Sequence, residues 1–179
     1  MKRLATAFLV TAALFAAPAA AALKIGDTAP DFTAQAALGG KQFTFALAEA
    51  RRHGPVVVYF YPKAFTTGCS LEAHAFAEAM PQFAAAGASV IGVSHDDIGV
   101  LQDFSTKDCA SKFPVASDGD QKIMTSYDAV LGGKHPELAN RISYLVAPDG
   151  HVIAEYSDLD YSKHVETMLA ALASWKAAH

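Results

Sequence analysis

Six consecutive residues, Val56-Val57-Val58-Tyr59-Phe60-Tyr61, are all β-branched or aromatic, with no polar position among them. Such a run reads as a strand buried on both faces, so the sheet it belongs to must be covered from two sides. Pro62 ends the run. From Ser70 to Ala86 the spacing of Leu71, Phe76, Met80 and Phe83 fits a helix with one apolar face, which Pro81 is expected to kink or end early. Ser89 to Val93 reads as a second buried strand, and Ile98 to Lys107 as a second amphipathic helix behind the acidic pair Asp96-Asp97. This strand-helix-strand-helix order implies crossover connections within one sheet.

The flanks complete the pattern. Gly39-Gly40 precedes Lys41 to Leu47, where Phe43, Phe45 and Leu47 alternate as in a half-buried strand, so an N-terminal hairpin is expected. Arg51-Arg52-His53-Gly54-Pro55 breaks the chain ahead of Val56, and Arg51-Arg52-His53 reads as a solvated loop. Phe113 to Ala116 is a short extended piece, and Asp118-Gly119-Asp120 is a turn into a short helix that reaches Tyr127. Ile142 to Val146 and His151 to Tyr156 flank Pro148-Asp149-Gly150, a hairpin signal. A last helix from Ser162 to Ala178 carries Val165, Met168, Leu169, Leu172 and Trp175 on one face, with Asp158-Leu159-Asp160 as its capping turn. The expected fold is α/β: one mixed central sheet flanked by helices.

A length of 179 residues suits one compact domain, and a net charge of −4 argues against a general nucleic-acid binder. Met1-Lys2-Arg3, the apolar run Leu4 to Phe15 and the small residues Ala16 to Ala22 follow the grammar of a secretory signal peptide. Residues 1–22 are expected to be a leader cleaved after Ala20 or Ala22, leaving residues 23–179 as the exported domain, in the periplasm if the source is bacterial. The competing expectation is an uncleaved anchor from Leu4 to Leu23, which Pro18 and the abundance of alanine disfavour. After cleavage no stable membrane association is expected.

Only two cysteines, Cys69 and Cys109, are present, without the CxxC spacing of a zinc ribbon or a dithiol exchange motif. Cys69 follows the buried strand and a turn, at the start of the helix. Unpaired backbone N–H groups and the positive end of the helix dipole lie there and favour a thiolate. A free thiol with an ordinary pKa near 8.5 is only a few per cent ionised at neutral pH, so an attacking sulfur needs this help. If the electrophile is a peroxide, the leaving oxygen needs its growing charge stabilised, by a hydroxyl and a fixed cation. Thr66, three residues ahead, can turn toward the sulfur; Pro62 can exclude water; Arg141, ahead of Ile142 to Val146, is the best-placed cation.

Pro62-x-x-x-Thr66-x-x-Cys69 after an aromatic strand, with Arg141 and Ala147-Pro148-Asp149-Gly150 downstream, closely resembles the peroxiredoxins, most of all their bacterioferritin-comigratory or Q-type group. Gly26-Asp27-x-Ala29-Pro30-Asp31-Phe32, Gly92-Val93-Ser94 and Phe113-Pro114 extend the likeness. The resemblance implies a thioredoxin-like fold, a peroxide substrate and a thioredoxin-like or other dithiol reductant, and no cofactor or metal. By it Cys69 is peroxidatic, Thr66 and Arg141 bind the peroxide, and Pro62 shields the pocket. Two positions depart from the group: Thr67 stands where many members have proline, and His74 where many have their resolving cysteine. Cys109 is then the internal candidate for resolution, against the simpler reading of a permanent structural disulfide.

Two rival functions are weighed by what they lack. A thiol-disulfide oxidoreductase of the same fold would carry CxxC. A copper-delivery protein would need a second cysteine near Cys69, where Ser70, Leu71, Glu72 and Ala73 offer none, and His74, His95 and His135 match no standard metal spacing.

Overall fold

The computed structural model describes residues 23–179; the expected leader lies outside them. Seven strands form one sheet in the order β2-β1-β5-β4-β3-β6-β7, with β1 Thr33–Leu38, β2 Lys41–Ala46, β3 Val56–Phe60, β4 Ser89–Ser94, β5 Val115–Ser117, β6 Ile142–Val146 and β7 Val152–Ser157. β3, β4 and β5 run parallel, and the remaining pairings are antiparallel. The expected mixed sheet with flanking helices is observed.

β3 explains the unbroken apolar run. Val57 and Tyr59, with Tyr61 beyond the strand end, join a core beneath the helices α2 Thr67–Ala85, α3 Ile98–Lys107 and α5 His164–Ala178. Val56, Val58 and Phe60 join a second core with Phe32, Phe45 and the short helices α1 Leu47–Arg51 and α4 Lys122–Ser126. Alternate residues face opposite sides of a strand, so both sets are buried at once. Each fully buried side chain contributes about 1.5–3 kcal/mol. On the α2 side Tyr59 stacks on Phe76 at 4.3 Å between ring centres, and Tyr61 on Phe104 at 5.5 Å.

Two local expectations are corrected. α2 runs through Pro81 to Ala85, so the proline does not end it early. The alanines of this helix favour helical backbone, and the end comes four residues past the proline in a Schellman turn. There Gly87, at φ +76°, donates to the Ala84 carbonyl and Ala88 to that of Phe83. Leu47, expected to finish a strand, instead opens α1: β2 stops at Ala46, and burial of Leu47 under the sheet turns the chain.

Candidate active site

The turn from β3 to α2 is built to a fixed shape. The Asp96 carboxylate, beyond the end of β4, accepts the Ala64 N–H at 2.7 Å and the Ser94 hydroxyl at 2.9 Å through the same oxygen. Phe65 then takes the left-handed conformation, φ +61°, which costs a non-glycine residue on the order of 1–2 kcal/mol. Its ring, half exposed, lies edge-on to Phe104 at 5.2 Å. Thr66 returns to extended backbone and is the N-cap of α2, but its hydroxyl does not cap the helix; it donates to the Lys63 carbonyl at 2.9 Å. The first N–H groups of α2 are thus left without a side-chain cap.

Cys69 is the third residue of α2 and only 2% exposed. Arg141 Nη2 stands 3.4 Å from its sulfur. The guanidinium is itself buried and held by every nitrogen: Nε donates to the Leu159 carbonyl at 2.9 Å, and Nη1 pairs with Glu72 Oε2. Asn140 Oδ1 also fixes the Arg141 backbone N–H, at 2.8 Å. Burial opposes the charge on Arg141, but Glu72 and Cys69 more than offset this and hold its pKa above the usual value. Gly68 makes room for it, since a Cβ there would lie 3.2 Å from Nη2.

Glu72 is fully buried, one helical turn past Cys69, and sequence reasoning passed it over. Burial pushes its carboxyl up to about 8, against the pull of Arg141. The i, i+3 spacing of Cys69 and Glu72 places both on one face of α2, a signal that was available once Arg141 was named. Asp96 was read only as part of a helix start; its role in the turn needs the β3–β4 pairing to be seen.

Cys109 lies in the turn just past α3, its side chain fully buried in the core that also holds Cys69, and both thiols are free. Burial, helped by the adjacent Asp108 carboxylate, pushes its thiol well above the ordinary range. The two residues after it, Ala110 and Ser111, are exposed and both left-handed, at φ +48° and +56°. Pro62 is half-buried at the edge of a cleft of about 390 Å³ that Lys63, His95, Val100 and Glu137 also line. A cavity of about 730 Å³ between Pro30, Asp97 and Asp118 includes neither cysteine in its lining. Of the sequence candidates, then, Cys69 and Arg141 meet directly, Thr66 and Pro62 frame the same turn, and Cys109 lies in the core that Cys69 also joins. His74 faces Asp108 at 3.8 Å, His95 the Asp118 carbonyl at 3.3 Å, and His135 Glu137 at 3.2 Å.

Residues 25–155 match the model of the AhpC/TSA family. Peroxiredoxin Bcp of Escherichia coli is 31% identical over 161 residues, 88% of this chain and 97% of that protein. Peroxiredoxin Bcp of Xanthomonas campestris is 34% identical over 121 residues, 65% of this chain and 75% of that one. Among solved structures, peroxidoxin BcpB from Mycobacterium tuberculosis superposes with a TM-score of 0.76 at 27% identity, covering 85% of this chain and 97% of its own. Xanthomonas campestris peroxiredoxin Q gives 0.69 at 31% identity, covering 78% and 89%. Likeness of this extent in sequence and in fold carries the resemblance over to membership: the chain belongs to the AhpC/TSA family, among its Bcp or Q-type peroxiredoxins, and is a thiol peroxidase.

Proposed function

We propose that this peroxiredoxin reduces hydrogen peroxide and small organic hydroperoxides with Cys69 as the attacking thiolate. The observation that carries this reading is the Arg141 guanidinium, 3.4 Å from a buried sulfur at a helix N-terminus. The sulfur attacks the terminal peroxide oxygen; the S–O bond forms and the O–O bond breaks. The leaving hydroxide or alkoxide takes a proton from solvent, and Cys69 becomes a sulfenic acid. Arg141 stays charged throughout and stabilises the leaving oxygen without giving up a proton. Because the Thr66 hydroxyl donates to the Lys63 carbonyl, its lone pairs are free to accept the hydroperoxide O–H. Pro62 limits water at the turn.

Cys109 is the resolving residue in this reading. Its thiolate attacks the sulfenic sulfur, the disulfide forms, and the released hydroxide is protonated to water. The Cys109 thiol is buried and protonated, and the Cys69 sulfur is buried as well, so the turn after α3 has to open before the thiolate can form and reach it. The left-handed pair Ala110-Ser111 lowers the cost of opening. A thioredoxin-like dithiol then supplies two electrons and restores both thiols. One equivalent of hydroperoxide followed by mass spectrometry tests the cycle. A monomer with a Cys69–Cys109 bond is expected, and in Cys109→Ser a sulfenic acid on Cys69. A Cys69–Cys69 dimer would place resolution outside the chain, and a modified Cys109 beside an unmodified Cys69 would reverse the roles.

We also propose that the protein is exported, on the strength of the basic, apolar and small-residue segments of residues 1–22. The family match begins at residue 25, past that segment. N-terminal sequencing from the native host should start near Ala21 or Leu23; intact Met1 in a cytosolic fraction would contradict export.

A further inference from the structure

Behind Arg141 lies a buried histidine that the reaction as described does not use. His164, the first residue of α5, has no exposed surface. Its Nε2 is 2.9 Å from the Asp158 carbonyl, its Nδ1 is 2.9 Å from Ser143 Oγ on β6, and the ring meets Tyr156 of β7 edge-on at 4.8 Å. A carbonyl only accepts, so Nε2 carries the proton. Burial outweighs the Asp158 hydrogen bond and, with the positive charge of Arg141, pushes the imidazole pKa down, so the ring is neutral and Nδ1 accepts from Ser143.

Of the two groups that orient the Arg141 guanidinium, one faces this ring and the other sits next in the chain to a residue the ring holds. The Leu159 carbonyl, which takes Arg141 Nε–H, belongs to a segment whose residues 157–160 are all exposed; the hydrogen bond from His164 to the neighbouring Asp158 carbonyl ties that segment to the buried side. Glu72, which takes Nη1, has its other oxygen, Oε1, buried without a hydrogen-bond partner, and that oxygen faces His164 Nδ1 at 3.8 Å. We propose that His164 is a positioning residue of the peroxidase site: it anchors the Leu159 carbonyl through Asp158 and backs the Glu72 carboxyl, so that the guanidinium is held against Cys69 from two sides. Without the imidazole, the exposed segment loses its inward tie, the Leu159 carbonyl drifts, and Arg141 keeps one partner and loses its aim at the sulfur. This rests on Cys69 being the attacking residue.

The test compares His164→Leu, which fills the space without polar contacts, and His164→Gln, whose amide retains a donor for the Asp158 carbonyl. Three quantities are read on the full mature chain: the second-order rate with hydrogen peroxide, the alkylation rate of Cys69 by iodoacetamide at neutral pH, and the melting temperature. The Leu variant should lose about tenfold in both rates, the scale expected when a charged group is misplaced by a fraction of an ångström, and the Gln variant should recover most of it. Wild-type rates in His164→Leu, or equal losses in both variants that follow melting temperature alone, would overturn the proposal. Should the Leu variant not fold, nitrogen-15 spectra of the wild-type histidines serve instead: the His164 ring signals should show the Nε2–H tautomer and shift when Cys69 is oxidised, and unshifted signals would overturn it. Cys69→Ser run alongside separates the two readings. An active Cys69→Ser refutes the attacking role itself, whereas an inactive one beside a fully active His164→Leu refutes only the histidine.

Discussion

Arg141 Nη2 lies 3.4 Å from Cys69 Sγ across 72 residues of sequence, brought there because β6 pairs with β3 and α2 leaves the end of β3. The contact joins a fixed positive charge to a sulfur shut off from water, where each electrostatic interaction is worth more than in solution.

Replacing Arg141 by alanine should lower the rate of peroxide reduction by about 10²–10³-fold, the range for removing one preorganised group from a developing anion. The alkylation rate of Cys69 should fall with it. Arg141→Lys should restore little, because a single ammonium cannot meet Leu159, Glu72 and the sulfur together. Stopped-flow kinetics on the two variants checks both statements; an unchanged alanine variant would mean that the charge acts from elsewhere.

Gly68→Ala should be a kinetic variant rather than a stability variant. The new Cβ sits 3.2 Å from Nη2, so the guanidinium must yield by a few tenths of an ångström. A loss of about tenfold in rate with little change in melting temperature is expected. Equal activity would show that Arg141 moves freely, contrary to its four-point fixation.

Much of this was legible beforehand, and the omissions have physical causes. The β3 run announced a sheet covered on both faces because no other arrangement buries Val56 to Tyr61, and the hairpins followed from Gly39-Gly40 and Pro148-Asp149-Gly150. Pro81 misled because one lost hydrogen bond weighs less than the burial of Phe76 and Phe83 on a continuous helix. Cys69, Thr66, Pro62 and Arg141 were readable as a motif. Glu72 offered only its i, i+3 spacing from Cys69 and His164 offered nothing, since a buried carboxyl and a buried imidazole take their roles from partners drawn from α2, β6, α5 and the segment after β7. The left-handed pair after Cys109 has no signature at all in Ala110-Ser111, residues that normally avoid that conformation.

Glu72 sets a pH dependence of stability with a definite sign. Its carboxyl rises from an ordinary 4.5 to about 8 on folding, chiefly through burial. The native protein therefore favours the protonated form, with a contribution fully present below about pH 4.5 and lost as pH climbs through about 8. Glutamine has no such loss. The melting temperature of Glu72→Gln relative to wild type should rise between about pH 5 and pH 8.5. A difference that stays flat over this range would show a carboxylate kept charged by Arg141 throughout.

Ala110→Gly and Ser111→Gly should each relieve backbone strain of about 1 kcal/mol in the closed turn, since glycine accepts positive φ. Stabilising the closed state should slow Cys69–Cys109 disulfide formation by about fivefold per substitution while leaving the first reaction with peroxide untouched. Over-oxidation of Cys69 by excess peroxide should increase in step. Mass spectrometry of quenched time points reads both. Faster disulfide formation would mean that opening of this turn does not limit resolution.

The most direct measurement is single-turnover stopped-flow reduction of hydrogen peroxide by the wild-type protein, by Cys69→Ser and by Cys109→Ser. Cys69→Ser should consume no peroxide while retaining the native circular dichroism spectrum, and Cys109→Ser should complete one turnover at the wild-type rate and then stall. Peroxide consumption by Cys69→Ser, or its loss in Cys109→Ser with Cys69 intact, would contradict the assignment of Cys69 as the attacking thiolate.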